Sequence, residues 1–337
     1  MRWFQLGHIG SGSFGAVHGR IDVDTGKLLA VKVLNLKRPE GPYMGKEWNL
    51  ASYLAKKREC EALSHINHPH IVDYIASKGW EGPCPIPEIF MAHKDRNFIS
   101  LIYGGGSVLP IEDLAHDVFF QMLQALDCLA ANNSIHRNVK PENILCTQLP
   151  DGRYHFELGD FGICNNAANA VTPFGSPLFQ APEVGKHEPV ELQTHKVDVW
   201  SLFVTMLWTL NINGFRTIHE QNLIWDPRQA VLGAAPGLPQ LWEMSIVEPL
   251  ERASAAQMLI KCFNGKGLVS DPASIPSITQ ERMEFMIQTS PPMPPSRTFA
   301  QAMTRPMRPF PQSPPQPNGG RTKGSRQIEP FRVDRIN

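Results

Sequence analysis

The 337 residues carry 32 Lys plus Arg against 32 Asp plus Glu, and 42% of them are hydrophobic. That apolar share supports a sizeable core and excludes a chain disordered throughout. A formal net charge of zero excludes a protein that grips nucleic acid by bulk electrostatics. At about 150 residues per domain, the length predicts roughly two domains. Cys60, Cys84, Cys128, Cys146, Cys164 and Cys262 include no C-x-x-C pair and read as reduced, mostly buried thiols. The opening MRWFQLGHIG lacks the apolar stretch of a secretory leader, and the longest apolar run, 199–210, is too short to span a bilayer. The expectation is an intracellular, mainly cytoplasmic protein with no nucleic-acid or membrane partner.

In chain order, residues 4–9, 16–21 and 28–34 read as strands, the last two joined by the turn-forming Asp24-Thr25-Gly26. Between the first two lies Gly10-Ser11-Gly12-Ser13-Phe14-Gly15-Ala16-Val17. A lone G-x-G-x-x-G can open a dinucleotide-binding helix. Here strand residues follow it, which favours a hairpin whose bare backbone approaches phosphates. The third run holds Ala30-Val31-Lys32, setting an ammonium under that hairpin. Residues 46–64 have helical apolar spacing through Leu50, Tyr53, Leu54, Cys60 and Leu63, ahead of His68-Pro69-His70-Ile71-Val72. The histidines of HINHPH have no carboxylate or cysteine at ligand spacing and read as a helix-ending turn, not a metal site.

From about residue 111 the pattern turns helical, with Val118, Phe119, Met122, Leu123, Leu126 and Leu129 on one broad apolar face. Then come His136-Arg137-Asn138-Val139-Lys140-Pro141-Glu142-Asn143, Asp160-Phe161-Gly162, Ala181-Pro182-Glu183, Asp198-Val199-Trp200, and 248–255 with Arg252. Eleven of the 30 prolines fall in 289–337, which carries about +6 against about −6 for the rest. That stretch reads as a disordered, partly polyproline II tail. Its P-x-x-P spacings (306–309, 311–314) offer a ligand for proline-recognition domains.

Together these motifs resemble the eukaryotic protein kinase family, of the Ser/Thr type, across about residues 3–265. The resemblance implies an α+β, two-lobed fold. A small antiparallel-sheet lobe with one helix covers about 3–93 and a mainly helical lobe about 94–265, followed by an extension over 266–288. It implies ATP and Mg²⁺ as cofactors and a protein as substrate. By the same resemblance Ile9, Gly10, Gly12, Phe14, Gly15, Val17, Ala30 and Leu145 surround the nucleotide. Met91 lies behind the adenine, and Ala92 to Lys94 face it with main-chain groups. Lys32 holds the α- and β-phosphates and pairs with Glu59, with Glu61 the neighbouring alternative. Asp160 and Asn143 hold Mg²⁺, and Lys140 steadies the γ-phosphoryl group. Glu183 and Arg252 form a structural ion pair, and Asp198 belongs to a central buried helix. Phe161, His136 and Leu63 stack between the lobes, and Ser176 contacts the catalytic loop. Thr172 is a candidate phosphorylation site, with Arg137 as its pairing cation.

Two departures qualify the resemblance. Asn138 stands where the family has its catalytic aspartate, and a neutral amide can hydrogen-bond a hydroxyl but cannot act as a base. The span from Lys32 to Glu59 is also longer than the family's, with 38–48 as an inserted loop. Three functions stay open: a slow Ser/Thr protein kinase, an ATP-binding pseudokinase, and a small-molecule kinase. The segments matching the family's protein-substrate platform argue against the third.

Overall fold

The computed structural model describes residues 2–12, 15–34, 57, 60, 64–81, 86–105, 109–161, 165–166, 176–184 and 193–277. The predicted helix over 46–64 lies outside them, apart from helical Lys57 and Cys60 and the turn residue Ser64, and so does the proline-rich tail.

Five antiparallel strands build the first lobe: β1 (Trp3–Gly12), β2 (Gly15–Asp22), β3 (Leu28–Leu34), β4 (Tyr74–Lys78) and β5 (Glu88–Ala92), in the order β1-β2-β3-β5-β4. The first three fall where alternation predicts them. The turn after β2 closes through Gly26 N–H to the Asp22 carbonyl at 2.7 Å. At the hairpin tip Gly15 has φ +145°, and a Cβ there would stand 2.0 Å from the Val33 carbonyl oxygen, so only glycine fits. Strand pleating sorts the faces. Val17 pairs with Lys32 and Ala30 with Met91 on one face, while Arg20 and Glu88 meet on the other. That second face is sealed by Leu29, Val31 and Phe90 under Trp3. There Arg20 donates to both Glu88 oxygens, at 2.6 and 3.1 Å.

The second lobe is organised by two helices. The first two of its helices, α1 (Phe98–Tyr103) and α2 (Ile111–Ala131), follow a short strand β6 (Arg96–Asn97). Along α2, Leu114–Leu129 without Asp117 is buried. From that helix the buried Gln121 clamps a strand edge: its Nε2 donates to the Tyr154 carbonyl at 3.1 Å, and its Oε1 accepts the Phe156 amide at 2.7 Å. Helix α3 (Lys196–Thr209) is buried from Val197 to Thr209, and its polar stripe is paired inside the protein: Ser201 Oγ donates to the Phe179 carbonyl at 2.7 Å and Thr205 Oγ1 to the Ser201 carbonyl at 2.8 Å. Shorter helices α4 (Phe215–Glu220), α5 (Pro227–Ala234) and α6 (Ala255–Phe263) complete the lobe; α6 starts with a Ser254/Gln257 capping box.

Between α2 and α3 run β7 (Ser134–Ile135), β8 (Ile144–Gln148), β9 (Tyr154–Leu158) and β10 (Asn165–Asn166). Strands β6, β8 and β9 form one small sheet, and β7 pairs with β10. The two lobes are stitched along β9. Val72 N–H donates to the Leu158 carbonyl and Leu158 N–H to the His70 carbonyl, each at 2.9 Å. The two-lobed architecture predicted from the sequence is the one observed.

Candidate active site

The cleft between the lobes collects side chains from β3, the loop around the 3-10 turn Pro141–Asn143, and the end of β9. Lys32 is buried, and its ammonium forms an ion pair with Oδ1 of Asp160, 128 residues away in sequence. Glu59, the predicted partner of Lys32, lies outside the described residues, as do Phe14, Leu63 and Thr172. A small recess beside Lys32 is walled by Cys60, Tyr74, Ile89, Met91 and Phe161. In the segment that follows, the Ala92 amide donates to the Asp73 carbonyl at 3.1 Å.

The catalytic-loop segment is held by buried groups. Asp198 reaches up from α3 and accepts the main-chain amides of His136 and Arg137, both at 2.7 Å. This fixes Arg137 at φ +66°, a left-handed conformation that a non-glycine residue adopts only when its surroundings impose it. Burial pushes the Asp198 carboxyl up to about 6, against the pull of the two amides and Arg137. His136 Nε2 lies 2.9 Å from the Gly159 carbonyl, and its ring meets Phe161 edge-on at 4.7 Å. Burial holds the His136 imidazole down at about 4, so it is neutral at pH 7.

Asn143 Nδ2 donates to the main-chain carbonyl of Asn138 at 2.7 Å. Asn138 is 8% exposed, and its Oδ1 has no hydrogen-bond partner among the described residues. Lys140 donates to Ser176 Oγ at 2.7 Å. Asp160 sits at φ +55°, and a Cβ on the preceding Gly159 would stand 2.8 Å from Leu145 Cδ1, so that side chain would have to shift to admit it. Below the loop, Arg252 is fully buried and donates to both Glu183 oxygens, at 2.7 and 2.9 Å.

Sequence reasoning missed three contacts. Lys94 was read only for its main chain, yet its ammonium forms an ion pair with buried Glu157 on β9. Burial outweighs that cation and raises the Glu157 carboxyl. His70 was read only as part of a helix-ending turn and His155 was not singled out, yet both bridge the lobes. His70 Nδ1 lies 2.9 Å from the Phe156 carbonyl and His155 Nε2 2.7 Å from the Pro69 carbonyl. Only opposite charges or polar residues at apolar-strand positions hinted at these contacts, and local spacing does not pair residues so far apart.

Residues 3–264 match the model of the protein kinase domain family. Serine/threonine-protein kinase 10 of Rattus norvegicus is 32% identical over 280 residues, 76% of this chain and 26% of that protein. The mitogen-activated protein kinase kinase kinase MST11 of Pyricularia oryzae is 30% identical over 213 residues, 60% of this chain and 22% of that protein. Serine/threonine-protein kinase fused of Drosophila melanogaster is 30% identical over 198 residues, 58% of this chain and 22% of that protein. The match thus spans about a quarter of the length of each of these relatives.

Proposed function

This chain belongs to the protein kinase family, and from that premise we propose that it binds ATP with Mg²⁺ and transfers phosphate slowly to protein serine or threonine hydroxyls. The observation that carries the reading is Asn138. Its main chain is anchored by Asn143, and its buried Oδ1 lacks a hydrogen-bond partner among the described residues. A buried acceptor left open in this way suits the hydroxyl of an incoming substrate.

The donor set fits the implied cofactors. The Asp160 carboxylate and the Asn143 amide oxygen are hard oxygen ligands of the kind Mg²⁺ takes. Lys32 supplies a cation for nucleotide phosphates. When bound, Mg²⁺ neutralises the charge that develops on the phosphates. Asn138 orients the acceptor hydroxyl but cannot take up its proton. Loss of a general base costs about 10²- to 10⁴-fold, and the reading expects a rate lowered on that scale. Lys140, positioned beside Ser176, faces the transferring group. Phosphorylation of Thr172, read through Arg137, belongs to the same proposal, as does an intracellular setting in which the proline-rich tail meets a proline-recognition domain.

The neutral Asn138 amide also favours a second reading, a pseudokinase that works by binding nucleotide and partners. Phosphoryl transfer from γ-labelled ATP to a generic Ser/Thr substrate separates the two, run on the native chain, Asn138→Asp and Lys32→Met. Transfer by the native chain that Lys32→Met abolishes supports the slow kinase. Transfer by Asn138→Asp alone supports the pseudokinase.

A further inference from the structure

The two arms of the glycine-rich hairpin carry a histidine pair that phosphoryl transfer does not use. His8 on β1 stands opposite His18 on β2, with ring centroids 5.6 Å apart and planes at 78°. Neighbouring strand residues alternate faces, so His18 lies on the opposite side of the sheet from Val17 and Lys32. The pair is therefore outside the nucleotide cleft.

Three observations converge on it. His8 Nε2 lies 2.7 Å from Ser11 Oγ. His18 Nδ1 is buried and has no hydrogen-bond partner among the described residues. Buried polar nitrogens in native proteins find a partner, and where the protein supplies none, water or an ion does. The third is spacing. Two imidazoles sharing one tetrahedral ion, with metal–nitrogen bonds of about 2.0–2.1 Å, hold their ring centres roughly 5 Å apart. The observed 5.6 Å is close to that separation.

Among the described residues the second histidine cluster has no buried orphan nitrogen like that of His18. His70 Nδ1 and His155 Nε2 are taken by the carbonyls of Phe156 and Pro69, and His68 Nδ1 accepts the His70 amide. Among the described residues no group of three or more His, Cys, Asp or Glu is placed to hold an ion. A site at the hairpin thus has two protein ligands and an open coordination sphere, which limits its affinity.

We propose that His8 and His18 form a two-histidine site for a divalent transition-metal ion of the Zn²⁺ type, with Ser11 hydrogen-bonded alongside and water completing the coordination. The ion ties β1 to β2 a few residues from the hairpin tip and stiffens the arm that covers the nucleotide. The site needs no turnover, so it stands or falls independently of whether Asn138 permits phosphoryl transfer.

Histidine-selective ¹⁵N NMR of the full chain during ZnCl₂ addition tests it, with the two resonances assigned from His8→Ala and His18→Ala. The expected result is saturable movement of both resonances together, with Zn²⁺ affinity at least about tenfold weaker in either variant. Zn²⁺ should also raise the Tm of the native chain but of neither variant, because an ion that binds only the folded state stabilises it by mass action. Metal-free melting curves separate lost binding from lost folding, and His18→Gln replaces His18→Ala if the latter melts early. Resonances of His8 and His18 that stay fixed while other histidines respond, or unchanged affinity in both variants, overturn the proposal.

Discussion

Lys140 donates to the hydroxyl of Ser176 at 2.7 Å, tying the loop that carries Asn138 to the segment leading into Ala181-Pro182-Glu183. Hydrogen bonds to charged groups contribute about 1.5–3 kcal/mol. Ser176→Ala should therefore lower kcat/KM for a peptide acceptor by roughly tenfold or more and leave nucleotide affinity unchanged; Ser176→Thr should retain the contact. Steady-state kinetics in the native chain and in an Asn138→Asp background, beside nucleotide titrations, check both halves. Equal losses in peptide and nucleotide binding would count against a role confined to the acceptor side.

The Arg252–Glu183 pair anchors the same segment from below. Besides both Glu183 oxygens, Arg252 donates to the carbonyls of Ile246, Lys196 and Val247 at 2.8, 3.0 and 3.1 Å. Removing one partner of a buried pair leaves an uncompensated charge and costs about 3–5 kcal/mol. Arg252→Met should fall in that range in urea denaturation. Glu183→Gln should cost less, because its amide oxygen still accepts one guanidinium N–H.

Lys94 and Glu157 form a second pair of this kind, joining the connector between the lobes to β9. Glu157 is 4% exposed, and burial already raises its carboxyl. Lys94→Met should destabilise the fold by a few kcal/mol, and adding Glu157→Leu should recover much of the loss. A double-mutant cycle measures the coupling. Additive effects would show that the pair contributes nothing beyond its two side chains.

The inter-lobe histidines predict a pH dependence. Burial holds His70 down at about 3, below its ordinary 6.5. The unfolded chain therefore binds the proton first as pH falls. The His70 contribution is complete above pH 6.5 and is lost towards pH 3, at up to about 1.4 kcal/mol per pH unit. His136, held at about 4, acts with the same sign, whereas Asp198, raised to about 6, gains stability as pH drops from there towards 3.8. His70→Asn can still donate to the Phe156 carbonyl and should flatten the loss. Melting temperatures between pH 8 and 5 for native and variant chains test this, and parallel curves would remove His70 from the account.

Much of this protein is legible in the order of its residues, because local periodicity and turn chemistry act over a few positions. Strands β1 to β3 and helix α2 fall where apolar spacing puts them, the turn at Asp24-Thr25-Gly26 where turn chemistry does, and the buried helix α3 where the family resemblance does. The motifs from Gly10 to Arg252 were enough to anticipate the family, the two lobes and the Glu183–Arg252 pair. What only the tertiary structure decided are contacts between elements far apart in sequence. Asp160 reaches Lys32, Lys94 reaches Glu157, His70 and His155 bridge the lobes, and Gln121 clamps the edge of β9. None of these has a periodic signature, because each polar side chain is placed by the packing of the elements that carry it. Burial then makes each contact consequential: away from water an unpaired charge or amide is costly, so these polar groups must find one another.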